Sequence, residues 1–180
     1  MRKLLVLLML SMFILANANS REKVDEIYTK YRSGNYEALT NEEAMEILKL
    51  TKSIDGERTG FSNSESLGHY AYEKIRRSED LLVKLFTESE TNEGKVYALM
   101  GLWSLNKELY GKYYDSMNKD DFVLVFQGGC EGIAVKVGDY FRNYEPALDR
   151  KKYPGEIFDG YLNLEEGWTF EPRKDDSNTL

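Results

Sequence analysis

Cysteine is nearly missing from this chain. Cys130 is the only one among 180 residues, so no disulfide can form within the chain and stability has to come from packing. Histidine is as scarce, with His69 alone, and a zinc site built from imidazole and thiolate is short of donors from the outset. Positive charge is in deficit too. Against 31 acidic residues stand 24 lysines and arginines, a net charge of −7, which argues against nucleic acid or an anionic membrane as partner. The apolar run at residues 4–15 is well short of the roughly 20 residues that cross a bilayer. No G-x-S-x-G occurs, and neither Gly94 nor the glycines at 128–132 have the spacing or the Ser/Thr of a phosphate loop. Residues 115–121 fail as a calcium loop, because Met117 and Lys119 stand where oxygen ligands are needed and no glycine follows.

The apolar run does fit a secretory leader. Arg2 and Lys3 precede it, Ala16 and Ala18 supply the small residues a signal peptidase accepts, and Asn17, Asn19, Ser20 and Arg21 end it. The expectation is a signal peptide at 1–18, an exported protein located in the periplasm or outside the cell, and no stable membrane insertion of the mature chain. No cysteine follows the run, so a lipid anchor is not supported. Removing Arg2 and Lys3 with the leader takes the net charge from −7 to −9. The remaining 162 of 180 residues suffice for one core, read as a single domain over 19–170 with a disordered tail at 171–180. Thirteen tyrosines, eight phenylalanines and two tryptophans supply the apolar area that disulfides do not.

Helical spacing dominates the first two thirds. Val24, Ile27, Tyr28 and Tyr31 share one stripe before a stop at Gly34. Thr40 and Glu43 form a capping box ahead of Ala44, Ile47 and Leu48, and residues 54–60 read as the loop that follows. Ser62 and Glu65 suggest a second capping box, opening a helix that carries Leu67, Tyr70, Ala71 and Ile75. Ser78 caps a fourth helix with Glu79 and Asp80 in its first turn, where the dipole favours acids. Thr91 and Asn92 start the next, apolar over so much of its circumference that it reads as central, with Ala98 and Gly101 allowing a neighbour to approach closely. Leu109, Tyr110, Tyr113, Tyr114 and Met117 mark one more.

The texture changes at 118. Turn residues 118–121 lead into the run 122–126, Phe-Val-Leu-Val-Phe, which reads as a buried strand. After the glycines at 128–132 the pattern fits both a return strand (Ile133, Val135, Val137) and a helical face (Ile133, Val137, Tyr140, Phe141, Tyr144); a hairpin leading into a brief helix is favoured. Past Pro146 an irregular segment is expected, anchored by Tyr153, Phe158, Tyr161, Trp168 and Phe170. The fold class is therefore mainly α (α+β), helical hairpins packed in one small domain with a short β-hairpin or strand near 122–137.

Residues 81–86, Leu-Leu-Val-Lys-Leu-Phe, followed by the apolar 94–102, resemble one helical hairpin of a HEAT-like repeat across residues 78–105. With Gly129 and Cys130 after it, the same stretch is similar to uncharacterised exported bacterial proteins, a group without a known activity. HEAT-like surfaces bind other proteins, so the resemblance implies interaction.

Two constellations qualify as candidate sites. Cys130 and His69 form a potential thiol nucleophile and base, against the alternative of a small buried residue beside a strand. Glu65, His69 and Glu73, spaced i, i+4, i+8, would share a helical stripe able to bind a divalent metal or move protons, against the alternative of a solvated face whose acids pair with Arg76 and Arg77. In both cases the alternative is favoured, and no catalytic residue, metal or cofactor is assigned. The sequence thus points to an exported, non-catalytic helical protein that recognises an unidentified protein partner, an inhibitor or immunity type being one version. The competing class is a small hydrolase using Cys130 with His69, or the Glu65/His69/Glu73 face.

Overall fold

A computed structural model describes residues 21–56, 58–59, 64–126, 132–148, 161–163 and 169–171. Seven α-helices and a three-stranded sheet carry the described residues, so the protein is mainly α. Among those residues no helix is long and apolar enough to cross a membrane. Residues 1–18, expected to be a signal peptide, Cys130 and the final nine residues lie outside them.

Helix α1 covers 21–30; it buries Ile27, and the turn that follows buries Tyr31. Gly34, at φ +87°, ends that stretch in the left-handed region that glycine adopts without a Cβ clash. After a 3-10 turn at Tyr36–Ala38 comes α2, Asn41–Leu50, opened by the expected box: Thr40 Oγ1 accepts from the Glu43 N–H and the Glu43 carboxylate accepts from the Thr40 N–H. Helices α3 (Leu67–Ile75), α4 (Glu79–Glu88), α5 (Asn92–Leu105) and α6 (Lys107–Ser116) each start on a side-chain cap, from Ser66, Ser78, Thr91 and Asn106. Such caps satisfy N–H groups that have no partner within the helix.

The start of α3 departs from expectation. Ser64–Glu65 form a strand, β3, paired antiparallel with Arg58–Thr59, β2, and the cap is Ser66 rather than Ser62. The Ser66 hydroxyl accepts from the His69 N–H at 3.2 Å and donates to Asp55 at 2.8 Å. That carboxylate makes Ser66 the better cap, so the helix opens after Glu65.

Helix α5 is central. Every residue from Val96 to Leu102 is buried, because α4, α2 and the sheet surround it. The turn at 89–91 folds it back along α4, and a Cβ at Gly101 would stand 2.5 Å from Leu82 Cδ1, so glycine is what allows that contact. One cluster of buried side chains joins α1 through α7 and the sheet, each fully buried aliphatic or aromatic contributing roughly 1.5–3 kcal/mol.

The sheet runs β1–β4–β5. Strand β4 is Phe122–Phe126 and β5 is Gly132–Lys136, an antiparallel hairpin as expected. Strand β1, Ile54–Asp55, lies in the segment expected to be loop; it pairs parallel with β4, Ile54 opposite Val125 and Asp55 opposite Phe126. Its end is fastened by α5, for the Asp55 N–H donates to the Tyr97 hydroxyl at 2.7 Å. Further along β4 the Glu93 carboxylate accepts the Leu124 N–H at 3.0 Å.

The ambiguity after residue 132 resolves into strand then helix, with α7 running Val137–Leu148 and burying Val137, Tyr140 and Phe141. In the C-terminal stretch expected to be irregular, Tyr161–Asn163 (β6) and Thr169–Glu171 (β7) pair antiparallel, whereas Tyr153, Phe158 and Trp168 fall outside the described residues.

Candidate functional site: the outer face of the sheet

Side chains alternate across a strand, so a sheet packed on one side has a second side to account for. In β4, Val123 and Val125 are buried, and in β1 Ile54 lies with them. These line the core face. The opposite side carries Phe122, Leu124 and Phe126, with Gly132, Ala134 and Lys136 across from them in β5. Phe122 is 58% exposed, Leu124 and Phe126 are half-buried, and the three β5 residues are exposed. The strand expected to be wholly buried is thus apolar on its outer side as well. A Cβ on Gly132 would stand 2.7 Å from Phe126 Cζ; the absence of one lets the ring lie across β5.

The strip runs roughly 13 Å along β4, at about 3.3 Å per residue. Charged and polar groups close both ends. Lys136, paired with Asp120 at 2.9 Å, stands at the Phe122 end. Asp55 stands beside Phe126, opposite in register and on the side of the strand away from Ile54.

Asp55 is half-buried at the N-terminus of α3, where Ser66 donates to its Oδ2. A Cβ on Gly68 would meet that oxygen at 3.0 Å. Tyrosines gather here. The Tyr36 hydroxyl donates to the Glu65 carbonyl at 3.3 Å and its ring lies 4.9 Å from that of Tyr70. Burial, then the Asp55 carboxylate, then Tyr36 push the Tyr28 phenol up, although 48% of Tyr28 remains exposed. Fully buried Tyr97 is pushed well above the usual phenol range by burial first and Asp55 second.

The residues singled out from sequence sit close to this region without assembling as expected. Glu65 belongs to a strand and His69 and Glu73 to α3, so the three do not form one helical stripe. The His69 ring meets Tyr70 edge-on at 5.6 Å. Glu73 Oε2 pairs with Arg76 at 2.7 Å, while its Oε1 is buried and accepts no hydrogen bond. Among the described residues no group of three or more His, Cys, Asp or Glu is placed to hold a metal ion. The pairing of His69 with Cys130 lies outside the described residues.

A second concavity, of about 270 Å³, opens between α1, α2 and α4. Several of its charges pair: Lys49 reaches Glu46 at 3.2 Å and Glu88 at 2.8 Å, and Lys23 lies 3.9 Å from Glu46. Glu42 and Lys84 line it as well, so charges of both signs border it. The outer face of the sheet, by contrast, joins exposed apolar surface to a carboxylate.

Sequence reasoning passed over Asp55 and the outward phenylalanines. All five residues of β4 are apolar, so period-two alternation could not say which side faced water. Comparison with protein-family models, with curated proteins and with solved structures yields no match for this chain.

Proposed function

We propose that this is an exported helical module that recognises another protein, and that the outer face of its sheet is the recognition surface. The observation that carries the reading is the apolar strip of Phe122, Leu124 and Phe126, with Phe122 58% exposed. An aromatic held outward on a strand gives a partner contact area at little cost in side-chain order. Protein interfaces favour such residues at their centres, with polar groups at the rim. Lys136 with Asp120 at one end and Asp55 at the other supply that rim. The HEAT-like resemblance of the α4–α5 hairpin points the same way, with α5 serving as the spine on which the sheet is mounted.

The test is a pull-down with the mature chain at low and high salt, comparing wild type with Phe122→Ser. A specific protein captured by the wild type at both salt concentrations and lost by the variant supports the reading. Recovery of no protein at either salt, or equal capture by the variant, rejects it. The substitution should leave stability within about 0.5 kcal/mol, as expected for an exposed position, so any loss of capture reports on the surface.

A further inference from the structure

The two edges of the sheet are finished differently. On one side β1 covers the end of β4, the Gly56 N–H donates to the Phe126 carbonyl at 3.0 Å, and Glu93 accepts the Leu124 N–H at 3.0 Å. Those two bonds also fix the phase of the ladder. In an antiparallel pair each residue turns its N–H and C=O to the same side, and successive residues turn opposite ways. Leu124 and Phe126 turn theirs toward β1. Their partners Ala134 and Gly132 therefore turn theirs away from β4. Lys136 does the same, since the Val137 N–H after it returns to the Asp121 carbonyl at 2.8 Å. Beyond β5 no further strand follows among the described residues. Edge strands are ordinarily blunted by proline, a bulge or a charge. Strand β5 has no proline and keeps its register with β4 unbroken from Gly132 to Lys136, whose ammonium is already held by Asp120 at 2.9 Å.

We propose that β5 pairs with β5 of a second copy of this chain, antiparallel about a twofold axis at Ala134, joining the two sheets into one. In that register Ala134 faces Ala134 of the second copy, and Gly132 faces Lys136. These are the positions whose main-chain groups turn outward, so each facing pair exchanges both of its hydrogen bonds. The occupant is a second copy because β5, reversed, meets its own requirements. The seam residues Gly132 and Ala134 are small and exposed, and Lys136 meets a glycine rather than another lysine. On the core side Ile133 and Val135 are only half-buried, whereas Val123 and Val125 beside them are buried. Ile133 faces Val135 of the second copy, and each covers the other. A twofold contact of this kind uses the free edge of both copies and closes. It leaves the outer face uncovered and sets the two phenylalanine strips on the same side of the joined sheet, about 14 Å apart across three strand spacings. The pairing goes beyond the recognition reading and does not depend on it.

The experiment is sedimentation equilibrium of the full mature chain from about 1 μM to 1 mM, in about 0.15 M salt to screen the repulsion between two acidic copies. A monomer–dimer equilibrium is expected. Ala134 meets its own counterpart at the axis, so Ala134→Lys and Ala134→Glu each set like charges face to face. Each alone should weaken the dimer roughly tenfold or more, and an equimolar mixture of the two variants should associate again. Both changes fall at an exposed position and should leave the melting curve of the monomer unchanged. Should either variant misfold, amide hydrogen exchange of the wild type decides instead. Exchange of the Ala134 N–H should slow as protein concentration rises, while the Ile133 and Val135 N–H groups, bonded to β4, should not respond. The proposal is overturned if the wild type stays monomeric throughout, if either single variant dimerises as the wild type does, or if the mixture remains monomeric. It is overturned equally if Phe122→Ser abolishes the dimer and the Ala134 changes do not, since the contact is then the outer face. Capture of another protein's strand along β5 by a chain that stays monomeric also overturns it. A monomeric chain that still captures a partner through Phe122 leaves the recognition reading standing and removes this one.

Discussion

Glu43 shows how much one side chain organises here. Its Oε1 accepts from Lys30 at 2.6 Å, and its Oε2 accepts from the Tyr31 hydroxyl at 2.9 Å and from the N–H and hydroxyl of Thr40, both at 3.0 Å. Chiefly the Lys30 bond, helped by those from Thr40 and Tyr31, holds its carboxyl down at about 2, against 4.5 for the ordinary group. The folded state therefore prefers the ionised form. The stabilisation is complete above about pH 4.5 and is lost as the pH falls toward about 2. Urea unfolding at pH 7, 4, 3 and 2 should show wild type and Glu43→Gln converging as the pH drops through that window. A gap of constant size would assign the effect to the helix cap alone. The local part of this arrangement was legible, since Thr40 and Glu43 spell a capping box. The reach to Lys30 and Tyr31, at and just past the end of α1, was not, because sequence spacing does not reveal which helices meet.

At the scale of elements, the contact between α4 and α5 turns on Gly101. Replacing glycine with alanine inside a helix ordinarily stabilises by up to about 1 kcal/mol. Here the new methyl would lie 2.5 Å from Leu82 Cδ1 and 2.7 Å from Cδ2, and Leu82 is fully buried. Overpacking of that kind costs about 1–3 kcal/mol, so Gly101→Ala should be destabilising overall. Combining it with Leu82→Ala should cost less than the sum of the two single changes. Additive losses in chemical denaturation would mean that the helices do not meet there. Helices were the readable part of this sequence, because a 3.6-residue stripe and a cap are local signals. Strand β1 was hidden. Two residues carry no periodicity, and their partner lies far along the chain. Ser62, Ser64 and Ser66 all precede α3, and only the location of Asp55 decides which of them caps it.

For the molecule as a whole, the proposed leader has the clearest consequence. If residues 1–18 are a cleaved signal peptide, the intact mass of the mature protein should correspond to their loss, within a residue or two. Recovery of the full mass from a membrane fraction would show the apolar run to be an uncleaved anchor. The outer sheet face belongs to this scale too, for it exists only because β1, β4 and β5 come together from distant parts of the chain. Ile54 and Val125 stand 71 positions apart yet are neighbours in the sheet. The helical pairs between them need only short loops to close, so they can form quickly and independently of the sheet. The β4–β5 hairpin that carries the phenylalanine strip is itself local, so only the docking of β1 onto it has to close the long loop. The strip can therefore form before the edge strand that flanks it is in place.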